Sequence, residues 1–369
     1  MDLGEALRET GDFEQSETVL TSVIGVAGDA TVGARARVNR LRLRVLTDPA
    51  DVGMVALEAK RVVNAFQSAG DQQLLAKAWE LLAWVSWFRC QAATTEQALQ
   101  RAIENARRAG DTLTEAQSLH LSCAAAVFGP MAVSDAIARC EEIRARPGQQ
   151  RRIIASAVRA LASLKAMAGM FDEARKLVDR HKAILQEFDL KVTAASAAET
   201  YGMVEMLAGD PVAAEREFAR GYRILRELGE GSLSPDLAAM RAHATYNQGR
   251  YEEAERFTRV CEESAPEGDI SAQVLWRLTR AKVVARQGRI AEAERLARDA
   301  VALAEETDFP VLLGDAFMAF GEVLQLGARI DEAVTATEKA LYWYEEKGNV
   351  VSANAARGVL SEMGATSVD

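Results

Sequence analysis

GRYEEAERFTR (Gly249–Arg259) is followed 39 residues later by GRIAEAERLAR (Gly288–Arg298). Each phrase opens on glycine, puts a bulky residue two places on, and then runs charged side chains around an alanine at a fixed offset. Glycine ends a helix cheaply in the left-handed conformation. The alanine lets the next helix approach its neighbour closely. The phrase therefore reads as a turn entering a packed helix, and its copies can be followed along the chain.

With the alanine as marker, the series is Ser16, Ala56, Ala98, Ala136, Ala174, Ala214, Ala254, Ala293 and Ala333. The intervals are 40, 42, 38, 38, 40, 40, 39 and 40 residues. A fixed period in this range is the signature of a solenoid. Gly11, Gly169, Gly209, Gly249 and Gly288 sit five residues before their markers. Each period has room for two helices. In AEAERLARDAVALAEE the apolar Ala293, Leu296, Ala297, Ala300 and Leu303 share one face, and Glu292, Arg295 and Asp299 lie on the other.

Composition agrees. Of 369 residues, 49% are hydrophobic and 27% charged, so a core can form. Only 7 are proline, and no alternating Val, Ile or Thr runs signal strands. The net charge of −10 and pI near 5.2 disfavour a nucleic-acid partner. No apolar stretch reaches the 18 or so residues of a membrane span. Cys90, Cys123, Cys140 and Cys261 form no CxxC pair and read as reduced, mostly buried thiols of a cytoplasmic protein.

The chemistry-bearing motifs are missing. His120, His181 and His243 are widely spaced and never pair at helical spacing with another ligand, so neither a metal nor a cofactor is expected. No phosphate loop, GxSxG, HExxH, GxGxxG or EF-hand pattern occurs, and GEGS at 229–232 reads as a turn. The expectation is a protein that is not an enzyme.

The markers and their neighbours resemble the tetratricopeptide family. Ala242, Gly249, Tyr251 and Ala254 match its small–Gly–aromatic–Ala pattern, as do Ala162, Gly169, Phe171 and Ala174. Ala281, Gly288, Ile290 and Ala293 match with isoleucine in the aromatic slot. The period of about 40 exceeds the family's usual 34 or so, which longer helices account for. The resemblance implies an all-α, right-handed superhelical solenoid of about nine helix-turn-helix repeats across 1–369, with a closing helix over 349–364. A narrower resemblance links LRLRVLTDP, RAIENARRAGD, ERLARDAVALAEETDF and ALYWYEEKGNVVSA to the C-terminal tails of bacterial class III nucleotide cyclases and related AAA-type ATPase regulators. It implies a tail cut from a larger protein, and the short helix possible in MDLGEALRET fits such a cut.

The resemblance also implies that first helices line a concave surface. Aligning KAWELLAWVSWFRC on Ala83 turns Glu80, Trp84 and Trp87 inward, and RARVNRLRLR puts Arg37, Arg40 and Arg44 on one face. Glu199, His243, Tyr246, Lys282 and Glu322 take similar inward positions. Their mixed signs suit a peptide. The expected role is a protein-interaction or sensor module of a signalling regulator, binding a peptide or protein partner or neighbouring domains. The alternatives are a small-molecule groove at Trp84 and Trp87, or a scaffold that assembles a homodimer.

Overall fold

The structure, a computed structural model, describes residues 3–28, 30–47, 52–67, 70–146, 150–187, 191–231 and 233–364. Met1, Asp2 and Ser232, which belong to the opening segment and the GEGS turn, lie outside them. The described residues form an all-α superhelical solenoid of nine helical repeats and a closing helix. The first five repeats are α1 (Leu3–Thr10) with α2 (Phe13–Val26), α3 (Ala30–Thr47) with α4 (Val52–Gln67), α5 (Gln72–Phe88) with α6 (Ala92–Ala109), α7 (Thr112–Phe128) with α8 (Val133–Ala145), and α9 (Arg151–Met167) with α10 (Phe171–Leu185). In the sixth, the first helix is broken into α11 (Lys191–Ser196) and α12 (Ala198–Leu207), and α13 (Pro211–Glu227) follows. The rest are α14 (Ser234–Asn247) with α15 (Tyr251–Ser264), α16 (Ile270–Arg286) with α17 (Ile290–Glu305), α18 (Pro310–Leu326) with α19 (Ile330–Lys347), and the closing α20 (Val350–Glu362).

Each second helix buries a stripe that begins at its marker. Ala293, Ala297, Ala300 and Ala304 are all sealed, as are Ala254, Thr258 and Cys261. Two markers need correction. Ala56 is only half-buried, and Val55 and Ala59 take the sealed positions of α4. In α6 Ala98 is buried with Thr95, Leu99, Ala102 and Ala106, and the position equivalent to the other markers is Thr95, three residues earlier. The error at Ala98 has a physical cause. Five residues before Thr95 the glycine slot holds Cys90 at φ 52°, and five before Ala333 it holds Ala328 at φ 59°. Both make the glycine's bonds. Gly249 N–H donates to Tyr246 O at 2.9 Å, Cys90 N–H to Trp87 O at 2.8 Å, and Ala328 N–H to Gln325 O at 3.0 Å. A left-handed side chain costs about 1–2 kcal/mol, and the glycine signal vanishes from the sequence there while the turn persists.

The superhelix winds tightly enough for successive turns to touch. Asp308, just before α18, supplies the cap that Gln91 does not give to α6: its carboxylate accepts from Ala92 N–H at 2.5 Å and Ala93 N–H at 2.8 Å. Its own N–H donates to Cys90 O at 3.1 Å. Lys347, at the end of α19 and fully buried, donates to Ala126 O, Gly129 O and Met131 O at 2.9, 2.7 and 2.7 Å. An acid thus caps a helix N-terminus and a base caps a helix C-terminus, the pairing that the helix dipole favours. The five contacts join residues 216, 215, 221, 218 and 216 apart. That near-constant offset is the pitch of the superhelix. Gly348 against Val133 and Gly169 against Val351 continue the seam.

Candidate functional site

The wound array encloses two communicating chambers on its inner wall, of about 160 and 80 Å³. Both are lined mainly by the first helices of successive repeats, with His181 and Leu185 of the second helix α10 added in the first. Trp84 of α5, His120 of α7, Ser156 of α9 and Ser196 of α11 face both, as does Leu233 at the entry to α14.

The first chamber is cationic. Arg8, Arg42 and Arg152 line it with His120 and His181, and no carboxylate belongs to its lining. Arg42 is oriented from behind: it donates to Glu80 at 2.9 Å and to Gln117 Oε1 at 2.8 Å, and Glu80 is fully buried beneath it. His120 Nδ1 lies 2.9 Å from Ser156 Oγ, and His181 Nδ1 lies 2.7 Å from Tyr201 Oη. Burial, reinforced by Arg159 and His120, pushes His181 down to about 3, so its imidazole is neutral at pH 7. Val45, Leu113 and Leu185 provide apolar wall around the charges. The indole N–H of Trp84 is buried with no hydrogen-bond partner among the described residues.

The second chamber has its charge closed. Arg159 pairs with Glu199 at 2.9 Å and also donates to Thr200 Oγ1 and Ser196 O. Burial still raises the Glu199 carboxyl, with Arg159 acting the other way. Trp87 lines this chamber and packs outward into the seam, 5.7 Å from Phe128 and 5.3 Å from Phe309 between ring centroids.

Farther along, Tyr246, Lys282 and Glu322 come together as a network completed by Arg286. Tyr246 donates to Glu322, Arg286 donates to Tyr246 at 2.5 Å and to Glu322 at 2.8 Å, and Lys282 sits 4.3 Å over the Tyr246 ring. His243 stands beside it, driven down to about 3 by burial and by Lys282. Two further acids, Asp236 of α14 and Asp269 at the start of α16, keep carboxylate oxygens buried. Asp269 Oδ1 caps α16 by accepting from Ala272 N–H at 3.2 Å, while its Oδ2 and Asp236 Oδ1 have no partner among the described residues. Burial raises both carboxyls, Asp269 to about 7; Asp236 also stands in the field of Asp269, and Asp269 in that of Glu230.

The inward expectations divide accordingly. Trp84 and Trp87 line the chambers, Glu199 lines the second, and Glu80 supports the first from behind. Arg37, Arg40 and Arg44 line neither chamber. Arg37 and Arg44 are exposed, and Arg40 pairs with Glu17 at 2.7 Å. The arginine that enters is Arg42, between Val38 and Val45, which are both buried. The signal was present: Val38, Arg42 and Val45 share a face at helical spacing, and the apolar pair marks that face as the inner one. Arg8, Arg152 and His181 carry no comparable sequence signal, because a cavity assembled from six repeats depends on superhelical winding. The four cysteines are buried and unpaired, and among the described residues no cluster of His, Cys, Asp and Glu has a metal-binding arrangement. No helix among the described residues is long and apolar enough to cross a membrane.

Residues 275–299, from mid-α16 into α17, match the family model of the tetratricopeptide repeat. The chain therefore contains a tetratricopeptide-like repeat region. No curated protein matches the sequence. Among solved structures it is similar to the Rap protein complexed with competence and sporulation factor, with 12% identity, coverage of 98% of this chain and 95% of that one, and a TM-score of 0.47. It is also similar to yeast Tom70, with 13% identity, coverage of 97% and 81%, and a TM-score of 0.44. YrrB, described as a TPR protein with an unusual peptide-binding site, shows 19% identity over 62% of this chain and 99% of that one, with a TM-score of 0.29.

Proposed function

We propose that the chain is a cytoplasmic binding module that seats an extended peptide or protein segment in its interior channel and reports occupancy to neighbouring domains of a bacterial signalling regulator. The observation that carries this reading is the pair of connected chambers, built from the first helices of successive repeats and holding apolar wall and hydrogen-bonding groups side by side. Such a wall serves an extended chain, whose side chains alternate in chemistry while its backbone needs partners. The chemistry found here is recognition: orienting bonds behind Arg42, a neutral His181 and an indole N–H awaiting an acceptor.

Occupancy has a route outward. The seam ties α6 and α7, which carry the chamber-lining repeats, to Asp308 and Lys347 near the far end of the chain. A ligand that spreads α7 from α9 works against those bonds, and a change in winding follows. The test is a photo-crosslinking pool of octapeptides containing benzoylphenylalanine. Adducts on the inner faces of α5, α7 and α9 are the expected result. Adducts confined to the second helices would overturn the channel as the binding site.

A further inference from the structure

The guanidinium groups of the chambers are already engaged. Arg42 pairs with buried Glu80 at 2.8 Å, Arg159 pairs with Glu199 at 2.9 Å, and Arg8 and Arg152 hold interactions of their own. An anion would bring a charge whose counter-ions are taken. The polar group left open in the first chamber is a neutral one. His181 lines it and is 2% exposed, and burial keeps its imidazole uncharged at pH 7. Its Nδ1 lies 2.7 Å from Tyr201 Oη, and its Nε2 has no partner among the described residues. Tyr201 is buried as well, and His181 is the one partner of its hydroxyl among the described residues. A buried O–H left without an acceptor is costly, so Tyr201 donates to Nδ1. The imidazole proton then sits on Nε2, and His181 offers the chamber an N–H donor. Ser196, which lines both chambers, gives its hydroxyl proton to Thr193 O at 3.1 Å and keeps its oxygen as an acceptor. The rest of the wall includes Val45, Trp84, Leu113 and Leu185. The volume of about 160 Å³ matches the roughly 150 Å³ at which an apolar cavity takes up benzene.

We infer that the first chamber is a seat for an uncharged phenol, whose ring lies against Trp84, whose oxygen accepts from His181 Nε2–H and whose own proton goes to Ser196. This rests on the channel being the binding site, and it adds which side chain of a bound segment enters there. Among side chains, tyrosine alone joins an uncharged ring to an oxygen that both accepts and donates. Phenylalanine leaves the His181 donor without an acceptor, and the tryptophan indole only donates. A site built to hydrogen-bond a hydroxyl rejects the analogue that lacks it, because the site's own polar group is then left unpaired. A tyrosine of a peptide and a free small phenol share this chemistry.

The experiment is isothermal titration calorimetry of the full chain with p-cresol, toluene and 4-methylbenzoate, which carry a hydroxyl, nothing and a carboxylate on the same methyl-substituted ring. p-Cresol is expected to bind about tenfold more tightly than toluene, the ratio of one good hydrogen bond. 4-Methylbenzoate should bind no more tightly than toluene. His181→Phe should erase the preference for p-cresol, and His181→Gln, which keeps an N–H donor, should retain part of it. If neither variant folds, the imidazole nitrogen NMR shifts of the wild type decide. His181 must carry its proton on Nε2, and that nitrogen must shift with p-cresol and not with toluene. Two N-acetylated, amidated octapeptide pools without acidic residues, one with a fixed tyrosine and one with phenylalanine in its place, identify the source. Tighter binding of the tyrosine pool places the phenol on a peptide. Preference for p-cresol with pools that do not bind supports the seat and overturns the peptide reading. Equal binding of p-cresol and toluene, or a preference for 4-methylbenzoate, overturns the phenol seat and leaves the channel standing. Silence from every probe overturns both.

Discussion

The inner wall from α1 to α9 and the inner wall from α14 to α18 are built from equivalent positions of the same repeat, but they use charge in opposite ways. The first leaves space in front of Arg8, Arg42 and Arg152. The second fills its space with its own side chains, with Glu322 gathering Tyr246, Lys282 and Arg286. Charged residues on an inner helix face therefore do not identify a site. The protein supplies opposite charge in both walls, since the Arg42 guanidinium is paired with buried Glu80, so the two differ in the open space left beside the charges. Two of the three tryptophans of α5 measure the same distinction, since Trp84 faces the chambers and Trp87 is shared with the Phe128–Phe309 seam.

The largest difference should appear at that pair. Trp87→Ala removes an aromatic from a three-ring cluster that joins two superhelical turns, and should lower stability by about 3 kcal/mol. Trp84→Ala opens a wall that already borders a cavity, at about 1 kcal/mol. Equal losses in urea unfolding would show that Trp84 is as much core as Trp87. Next comes Glu322→Gln, which strips the carboxylate from the nearly buried Lys282 and should cost about 2 kcal/mol. Arg152→Gln in the open chamber should cost less than about 0.5 kcal/mol. Matching losses would mean that the chamber, too, is a closed network.

The repeat itself was legible because one helix pair repeats with a sealed small residue and a glycine turn. The winding was not, because it is carried by single residues such as Asp308 and Lys347 that contact partners more than 200 positions away. The register slipped where Cys90 stands in the glycine slot, and the inward arginine was missed where its flanking valines went unweighed. These slips give a further test. Ala254→Leu overpacks a sealed position and should cost about 2 kcal/mol, whereas Ala56→Leu, on the half-buried face of α4, should cost under about 0.5 kcal/mol. A thermal melt of each decides whether the corrected register holds.

The smallest net effect is expected in pH dependence, because the buried histidines and the buried acids oppose each other. His181, by the first chamber, falls from an ordinary 6.5 to about 3, so the folded state resists its proton. Its contribution is present above pH 6.5 and is lost as pH falls toward 3. Asp269, beyond the chambers, rises from 3.8 to about 7, so the folded state holds a proton that the unfolded chain releases. Its contribution is present below pH 3.8 and is lost as pH rises through 7. Each acts with a slope of at most about 1.4 kcal/mol per pH unit, and between pH 4 and 6.5 the slopes have opposite signs. His243 adds to the first effect, while Asp236 and Asp315 add to the second. Asp269→Asn keeps a capping side chain for α16 and removes only the titration, so its melting temperature should drop more steeply than wild type on acidification from pH 6.5. His181→Gln should do the reverse and gain stability over the same range. Two variants with the same pH slope would mean that these groups are not buried as described.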